Sequence, residues 1–143
     1  MEEYYVIYWS QTGNTKEMAE AVGEGISSVG KTAKVVEVGT VSADMLKDVT
    51  AFALGCPATG GEELEAEEME PLVSEVESFA AGKKIALFGS YGWGDGQWMS
   101  DWEERMTNAG ATIVGGAGVI CNETPDTDAL NECRELGKKL VQS

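Results

Sequence analysis

Short apolar runs alternate along this chain with longer stretches in which apolar residues recur every three or four positions. The runs near Tyr4–Trp9, Thr32–Val38, Ala51–Cys56, Lys84–Ser90 and Thr112–Ile120 read as strands. Between the first two, Thr15–Val29 puts Met18, Ala19, Val22 and Ile26 on one helical face and stops at Gly30. Asp44–Asp48 reads as a short second helix, Glu67–Ala80 as a third, Gln97–Ala109 as a fourth closed by Gly110, and Thr127–Val141 as the last. Val6-Ile7, Leu54-Gly55 and Ala86-Leu87-Phe88 carry no polar alternation, as in strands covered on both faces. This alternation predicts a three-layer α/β fold: a five-stranded parallel sheet in the order 2-1-3-4-5 with helices on both sides. No repeat, linker or low-complexity tract divides residues 1–143, so one domain is expected.

In such a sheet a ligand sits outside the carboxyl ends of the strands, at the switch point beside strand one. Three loops meet there. The first, Ser10-Gln11-Thr12-Gly13-Asn14-Thr15, has three hydroxyls, one amide and one glycine at the start of a helix. Hydroxyl groups, unpaired N–H groups and the positive end of the helix dipole together suit a phosphate monoester. The Gly-Lys-Ser/Thr of a triphosphate loop and the spaced glycines of a dinucleotide site are missing. A capped polar turn without ligand would use the same residue types. The second loop, Pro57-Ala58-Thr59-Gly60-Gly61-Glu62, holds two adjacent glycines between which a peptide can turn over with no Cβ in the way. Glu62 is placed to accept a hydrogen bond from a ring N–H, whereas Glu63, Glu65, Glu67, Glu68 and Glu70 read as a solvated helix start. The third loop, Ser90-Tyr91-Gly92-Trp93-Gly94-Asp95-Gly96, sets two aromatics among glycines, a pattern that lets an indole stack on a flat heterocycle. Trp98, Met99, Trp102 and Met106 follow at helical spacing and are assigned to the core.

Composition narrows the chemistry. Ten basic against twenty-five acidic residues give a net charge of −15, which opposes nucleic acid and anionic membrane surfaces and favours partners with basic docking faces. The chain has no histidine, which removes Ser-His-Asp and Cys-His catalysis and histidine metal sites. Cys56, Cys121 and Cys133 lack Cys-x-x-Cys spacing and read as structural thiols of a reducing compartment. The acidic Met1-Glu2-Glu3 start and the lack of any apolar stretch near the ~18 residues of a membrane span predict a cytoplasmic protein. A signalling receiver would need acidic clusters where strands one and three end in Trp9-Ser10 and Cys56-Pro57. A phosphatase built on Cys56 would need an arginine in the following loop, and none is there.

With these loops in place the sequence resembles, nearly end to end, the short-chain flavodoxins, bacterial electron carriers that hold FMN. Tyr8-Trp9-Ser10-Gln11-Thr12-Gly13-Asn14-Thr15 is similar to the family's phosphate loop, Gly55-Cys56-Pro57-Ala58 leads into its first flavin loop, and Gly89-Ser90-Tyr91-Gly92-Trp93-Gly94 is similar to its second. No long insertion interrupts Thr112–Ile120, as in the short-chain members. The resemblance implies a flavodoxin-like fold and a low-potential, one-electron carrier with FMN held non-covalently, shuttling between semiquinone and hydroquinone, with no substrate turnover of its own. It further implies phosphate binding by residues 10 to 15, stacking by Trp93, a bond from Glu62 to the pyrimidine end and a switching carbonyl on Gly60. Partners would be ferredoxin-type oxidoreductases, and a small charged carrier would be a monomer. Thr59 stands where close relatives often have Met, and Gly61 where Ser or Asp is common. A small FMN-dependent quinone or nitro reductase shares fold and cofactor and is the alternative.

Overall fold

The computed structural model describes residues 3–92 and 94–143. Its strands are β1 (Glu3–Tyr8), β2 (Thr32–Glu37), β3 (Ala51–Gly55), β4 (Lys84–Tyr91), β5 (Thr112–Ile113) and β6 (Val119–Asn122). The helices are α1 (Asn14–Ser28), α2 (Met69–Glu77), α3 (Gln97–Asn108) and α4 (Thr127–Gln142). All strand pairs are parallel, and the sheet runs β2-β1-β3-β4-β5 with β6 also paired to β4, which is the predicted order.

Strand side chains alternate between two cores, as the two-residue period of a strand requires. Ile7, Phe52, Leu54, Ile85 and Leu87 join Met69, Leu72, Val73 and Val76 of α2 and Trp98, Trp102 and Met106 of α3. Val6, Tyr8, Ala53, Ala86 and Phe88 join Met18, Ala19, Val22 and Ile26 of α1 and Cys133, Leu136 and Leu140 of α4. The small Ala53 and Ala86 pair across β3 and β4 on the α1/α4 side, leaving room for the two helices to sit close. Those helices touch almost backbone to backbone: a Cβ on Gly25 would overlap the Arg134 carbonyl, and one on Gly137 the Val22 carbonyl. Gly30 and Gly110, at φ +87° and +99°, end α1 and α3. Each sits in a pair of wrapped-back bonds, Gly30 N–H to Ser27 O with Lys31 N–H to Ile26 O, and Gly110 N–H to Thr107 O with Ala111 N–H to Met106 O.

Three elements differ from their predicted form. The short helix expected over Asp44–Asp48 is a 3-10 turn at Ala43–Leu46, preceded by another at Val38–Thr40. Too few apolar positions stand at helical spacing there to sustain an α-helix. The third helix begins at Met69 rather than Glu67, because the Glu65 carboxylate accepts the N–H groups of Glu67, Glu68 and Met69 at 2.8, 2.7 and 2.9 Å and caps it from outside. The strand expected over Thr112–Ile120 is broken after Ile113 by a turn at Val114–Gly116, where Gly115 and Gly116 take φ +79° and +84°. It resumes as β6 against the upper half of β4, with Ser90 opposite Cys121 and Tyr91 opposite Asn122. Between the two halves the Gly118 N–H leaves the sheet edge and donates to Glu103 Oε2 of α3 at 2.6 Å.

Candidate functional site

The carboxyl ends of β1, β3, β4 and β6 surround a cleft of about 520 Å³, lined by Ser10, Gln11, Thr12, Asn14, Thr15, Pro57, Ala58, Thr59, Gly60, Ser90, Tyr91, Gly92, Glu123 and Thr124. That is a volume suited to a small organic ligand. Backbone bonds pull the strand ends together beneath it: Trp9 N–H to Gly55 O (3.0 Å), Cys56 N–H to Phe88 O (3.1 Å) and Ala58 N–H to Ser90 O (3.1 Å). Glycine is needed at two of these ends. A Cβ on Gly55 would run into the Phe88 ring, and one on Gly89 into the Cys56 carbonyl.

The first loop is self-supporting. Ser10 Oγ accepts the N–H groups of Gly13 (3.1 Å) and Lys16 (3.3 Å), and Gly13, at φ +96°, turns the chain into α1. Asn14 and Thr15 form the first turn of α1, where the helix offers their N–H groups no acceptor. Thr15 is 1 % exposed, and its hydroxyl has no hydrogen-bond partner among the described residues. A buried, unpaired hydroxyl costs about 1–3 kcal/mol, so its survival at the cleft wall points to an external acceptor. Among the described residues no lysine or arginine lines the cleft, so an anion there would rely on hydroxyls, N–H groups and the α1 dipole. These groups fit a phosphate monoester.

The second loop is a closed hairpin. Thr59 and Glu63 exchange backbone bonds at 2.9 and 2.8 Å, and Thr59 Oγ1 donates to the same Glu63 carbonyl at 3.0 Å. Gly60 and Glu62 both lie in the left-handed region, at φ +54° and +58°. Glu62 is not among the cleft's lining residues, and its Oε1 accepts the Gln97 N–H at 3.0 Å. This caps α3 from another loop, since Gly96 at the helix start has no side chain to do so. Gly94 makes way for it, because a Cβ there would stand 2.5 Å from the Glu62 carboxyl carbon. At the base of the loop, Cys56 Sγ accepts the Glu65 N–H and burial pushes its thiol up to about 12.

The third loop brings Ser90, Tyr91 and Gly92 to the cleft, while Gly94, Asp95 and Gly96 lead away into α3; Trp93 lies outside the described residues. Trp98 and Trp102 are core residues, both 1 % exposed, and Trp98 donates its indole N–H to the Cys56 carbonyl at 3.0 Å. The Tyr91 ring meets Trp98 at 5.5 Å between centroids, tilted 51°, so the cleft wall is backed by core. Of the predicted residues that are described, Gly13, Gly61, Glu62, Gly94, Asp95 and Gly96 do not line the cleft.

Two lining residues, Glu123 and Thr124, escape the sequence reading. They arrive because β6 pairs with the end of β4, and the chain then reverses at Glu123, φ +57°. There Glu123 N–H donates to Tyr91 O at 2.7 Å, Ser90 Oγ donates to Glu123 O at 2.7 Å, and Asn122 Nδ2 donates to Tyr91 O at 3.3 Å. A left-handed turn at a glutamate carries no glycine to announce it.

The profile of the flavodoxin family matches residues 6–137. The chain is 47 % identical over 136 residues to a flavodoxin of Clostridium beijerinckii, covering 95 % of this chain and 97 % of that one. It is 41 % identical over 138 residues to a flavodoxin of Megasphaera elsdenii, covering 96 % and 98 %. The fold superposes on the solution structure of two-electron reduced Megasphaera elsdenii flavodoxin with a TM-score of 0.89, at 38 % identity, over 98 % of this chain and 99 % of that one.

Proposed function

Because the chain belongs to the flavodoxin family, whose cofactor is FMN, we propose that it is a low-potential one-electron carrier that shuttles bound FMN between semiquinone and hydroquinone, with no substrate turnover of its own. The observation that carries this reading is the buried hydroxyl of Thr15, without a partner among the described residues, on a residue that lines a cleft walled by three loops. FMN supplies the redox chemistry when bound; the chain supplies its grip and its surroundings. Residues 10 to 15 would hold the phosphate: Thr15 and Thr12 through hydroxyls, Gln11, Thr12, Asn14 and Thr15 through backbone N–H groups, and Ser10 and Gly13 by shaping the turn. Pro57, Ala58, Thr59 and Gly60 on one side and Ser90, Tyr91 and Gly92 on the other would flank the ring, with Gly60 presenting a carbonyl. Trp93 would stack on one face, as the resemblance implies. Glu62 spends one carboxylate oxygen on α3 and keeps Oε2 for the pyrimidine end, with Gly61 and the Gly94-Asp95-Gly96 turn holding the two loops in register.

Reduction adds negative charge to a protein already at −15. Each carboxylate ~10 Å from the ring opposes it by roughly 0.4 kcal/mol in a water-like dielectric, before salt screening, which favours a low potential. The same surface steers basic oxidoreductases of the ferredoxin-using type to the cleft and repels further copies of the chain, supporting a monomer. Among the described residues no helix is long and apolar enough to cross a membrane, and the three cysteines are free thiols, in keeping with a cytoplasmic carrier. Anaerobic stepwise reduction of the FMN-loaded protein tests the reading. A long-wavelength absorbance band at half reduction is expected. Failure to bind FMN, or direct two-electron bleaching with NAD(P)H turnover in the absence of a reductase, would replace the carrier by a different function.

A further inference from the structure

The 59–63 hairpin is fastened at two points, its base and its far side. At its base Glu63 O accepts both the Thr59 N–H and the Thr59 hydroxyl, at 2.9 and 3.0 Å. On its far side the Glu62 carboxylate takes the Gln97 N–H at 3.0 Å. That bond also secures the left-handed backbone at Glu62, which costs a residue with a Cβ about 1–2 kcal/mol and needs something to hold it. Turning over the Gly60–Gly61 peptide rotates ψ of Gly60 and φ of Gly61 and nothing outside them. An added Cβ at Gly60 would meet no atom within 4 Å, so the space around the turn is open.

We propose that Thr59 is a positioning residue: its hydroxyl, with the Glu62–Gln97 bond across the loop, confines the motion of this hairpin to the Gly60–Gly61 peptide and so presets the carbonyl offered to the cleft. The inference rests on the flavin reading of that cleft. It assigns Thr59 a part played through the Glu63 carbonyl, without any contact between its hydroxyl and a ligand. Without the hydroxyl the Glu63 carbonyl keeps a single donor, the hairpin base opens more often, and the carbonyl reaches the ring in fewer molecules.

The test pairs a measurement on the FMN-free protein with one on the loaded protein. In FMN-free Thr59→Val, amide exchange at Thr59 and Glu63 should quicken about five- to tenfold, the loss of one hydrogen bond of ~1 kcal/mol, and Thr59→Ser should restore it. In Glu62→Ala, exchange at Gln97 should quicken similarly. In the loaded protein the separation of the two one-electron potentials should narrow in Thr59→Val and recover in Thr59→Ser. Unchanged exchange in Thr59→Val overturns the proposal, as does quickened exchange with an unchanged separation. A parent protein that binds no FMN would be seen before any variant is made, and would mark failure of the flavin reading and of the proposal resting on it.

Discussion

Replacing Thr15 by Val keeps the shape of the side chain and deletes only the hydroxyl, at a position 1 % exposed whose oxygen has no partner among the described residues. Two effects of opposite sign follow. In the FMN-free protein the change removes a buried polar group left unpaired, worth about 1–3 kcal/mol. Val and Thr have similar helix propensities, so the backbone contributes little. Unfolding entropy of about 2.1 cal/mol/K per residue amounts to about 0.3 kcal/mol/K for 143 residues, so Tm should rise by about 3 °C or more. In the loaded protein the same change deletes a hydrogen bond to a charged acceptor, worth about 1.5–3 kcal/mol, and the Kd for FMN should rise about 10- to 150-fold. Thermal melts of the FMN-free protein and quenching of FMN fluorescence on titration read the two effects separately. Riboflavin, which lacks the phosphate, supplies the control: its affinity should not change, and Thr15→Ser should retain most of the FMN affinity. A lower Tm in FMN-free Thr15→Val, or equal losses for FMN and riboflavin, would show that the hydroxyl does not face the phosphate.

Three further outcomes follow from the rest of the molecule. Gly137→Ala should destabilise the protein by about 1–2 kcal/mol in urea unfolding even though Ala favours helix by about 1 kcal/mol, because its Cβ meets the Val22 carbonyl and forces α1 and α4 apart; a more stable variant would refute the close approach. Burial holds the Cys56 and Cys133 thiols at about 12, so alkylation at pH 8 followed by mass spectrometry should label the half-buried Cys121 first and the other two only on unfolding. The Arg105 guanidinium, 2.8 Å from Glu70 Oε1, holds the Glu70 carboxyl below its usual range. Its folded pKa is therefore lower than its unfolded one, and its contribution is present above about pH 4.3 and lost as pH falls through the folded value. In melts from pH 6 to 3, Glu70→Gln should show a shallower acid limb than the parent, and an identical limb would dismiss the pair as a source of stability.

The sheet order and the three walls of the cleft were legible in the sequence because each rests on local chemistry. The apolar runs carry the strands, and Ser10 to Thr15, the Gly60-Gly61 pair and the Tyr91-Gly92 turn carry the loops. What escaped depends on partners far along the chain. Glu62 finds the α3 N-terminus 35 residues away, and that destination appears only once β3 and β4 lie side by side. Glu123 reaches the cleft through the β4–β6 register, which follows from the interruption at Gly115-Gly116. That glycine pair was a readable signal: two glycines inside an apolar run mark a break as readily as a strand. The hydroxyl of Thr59 gave no such signal, since its acceptor is a main-chain carbonyl.

The broken fifth strand also governs how copies of this chain meet. A continuous edge with regularly spaced N–H and C=O groups is a template on which another chain can add a strand, the first step toward aggregation. On this side the ladder is cut to the two residues of β5, bent through a double-glycine turn, and deprived of the Gly118 N–H by Glu103 before β6 begins. An incoming strand would find only the two residues of β5 and the four of β6, with no continuous run joining them. Glu103→Ala would give that donor back to the edge, and shortened solubility under crowded or mildly denaturing conditions is where its absence would be felt.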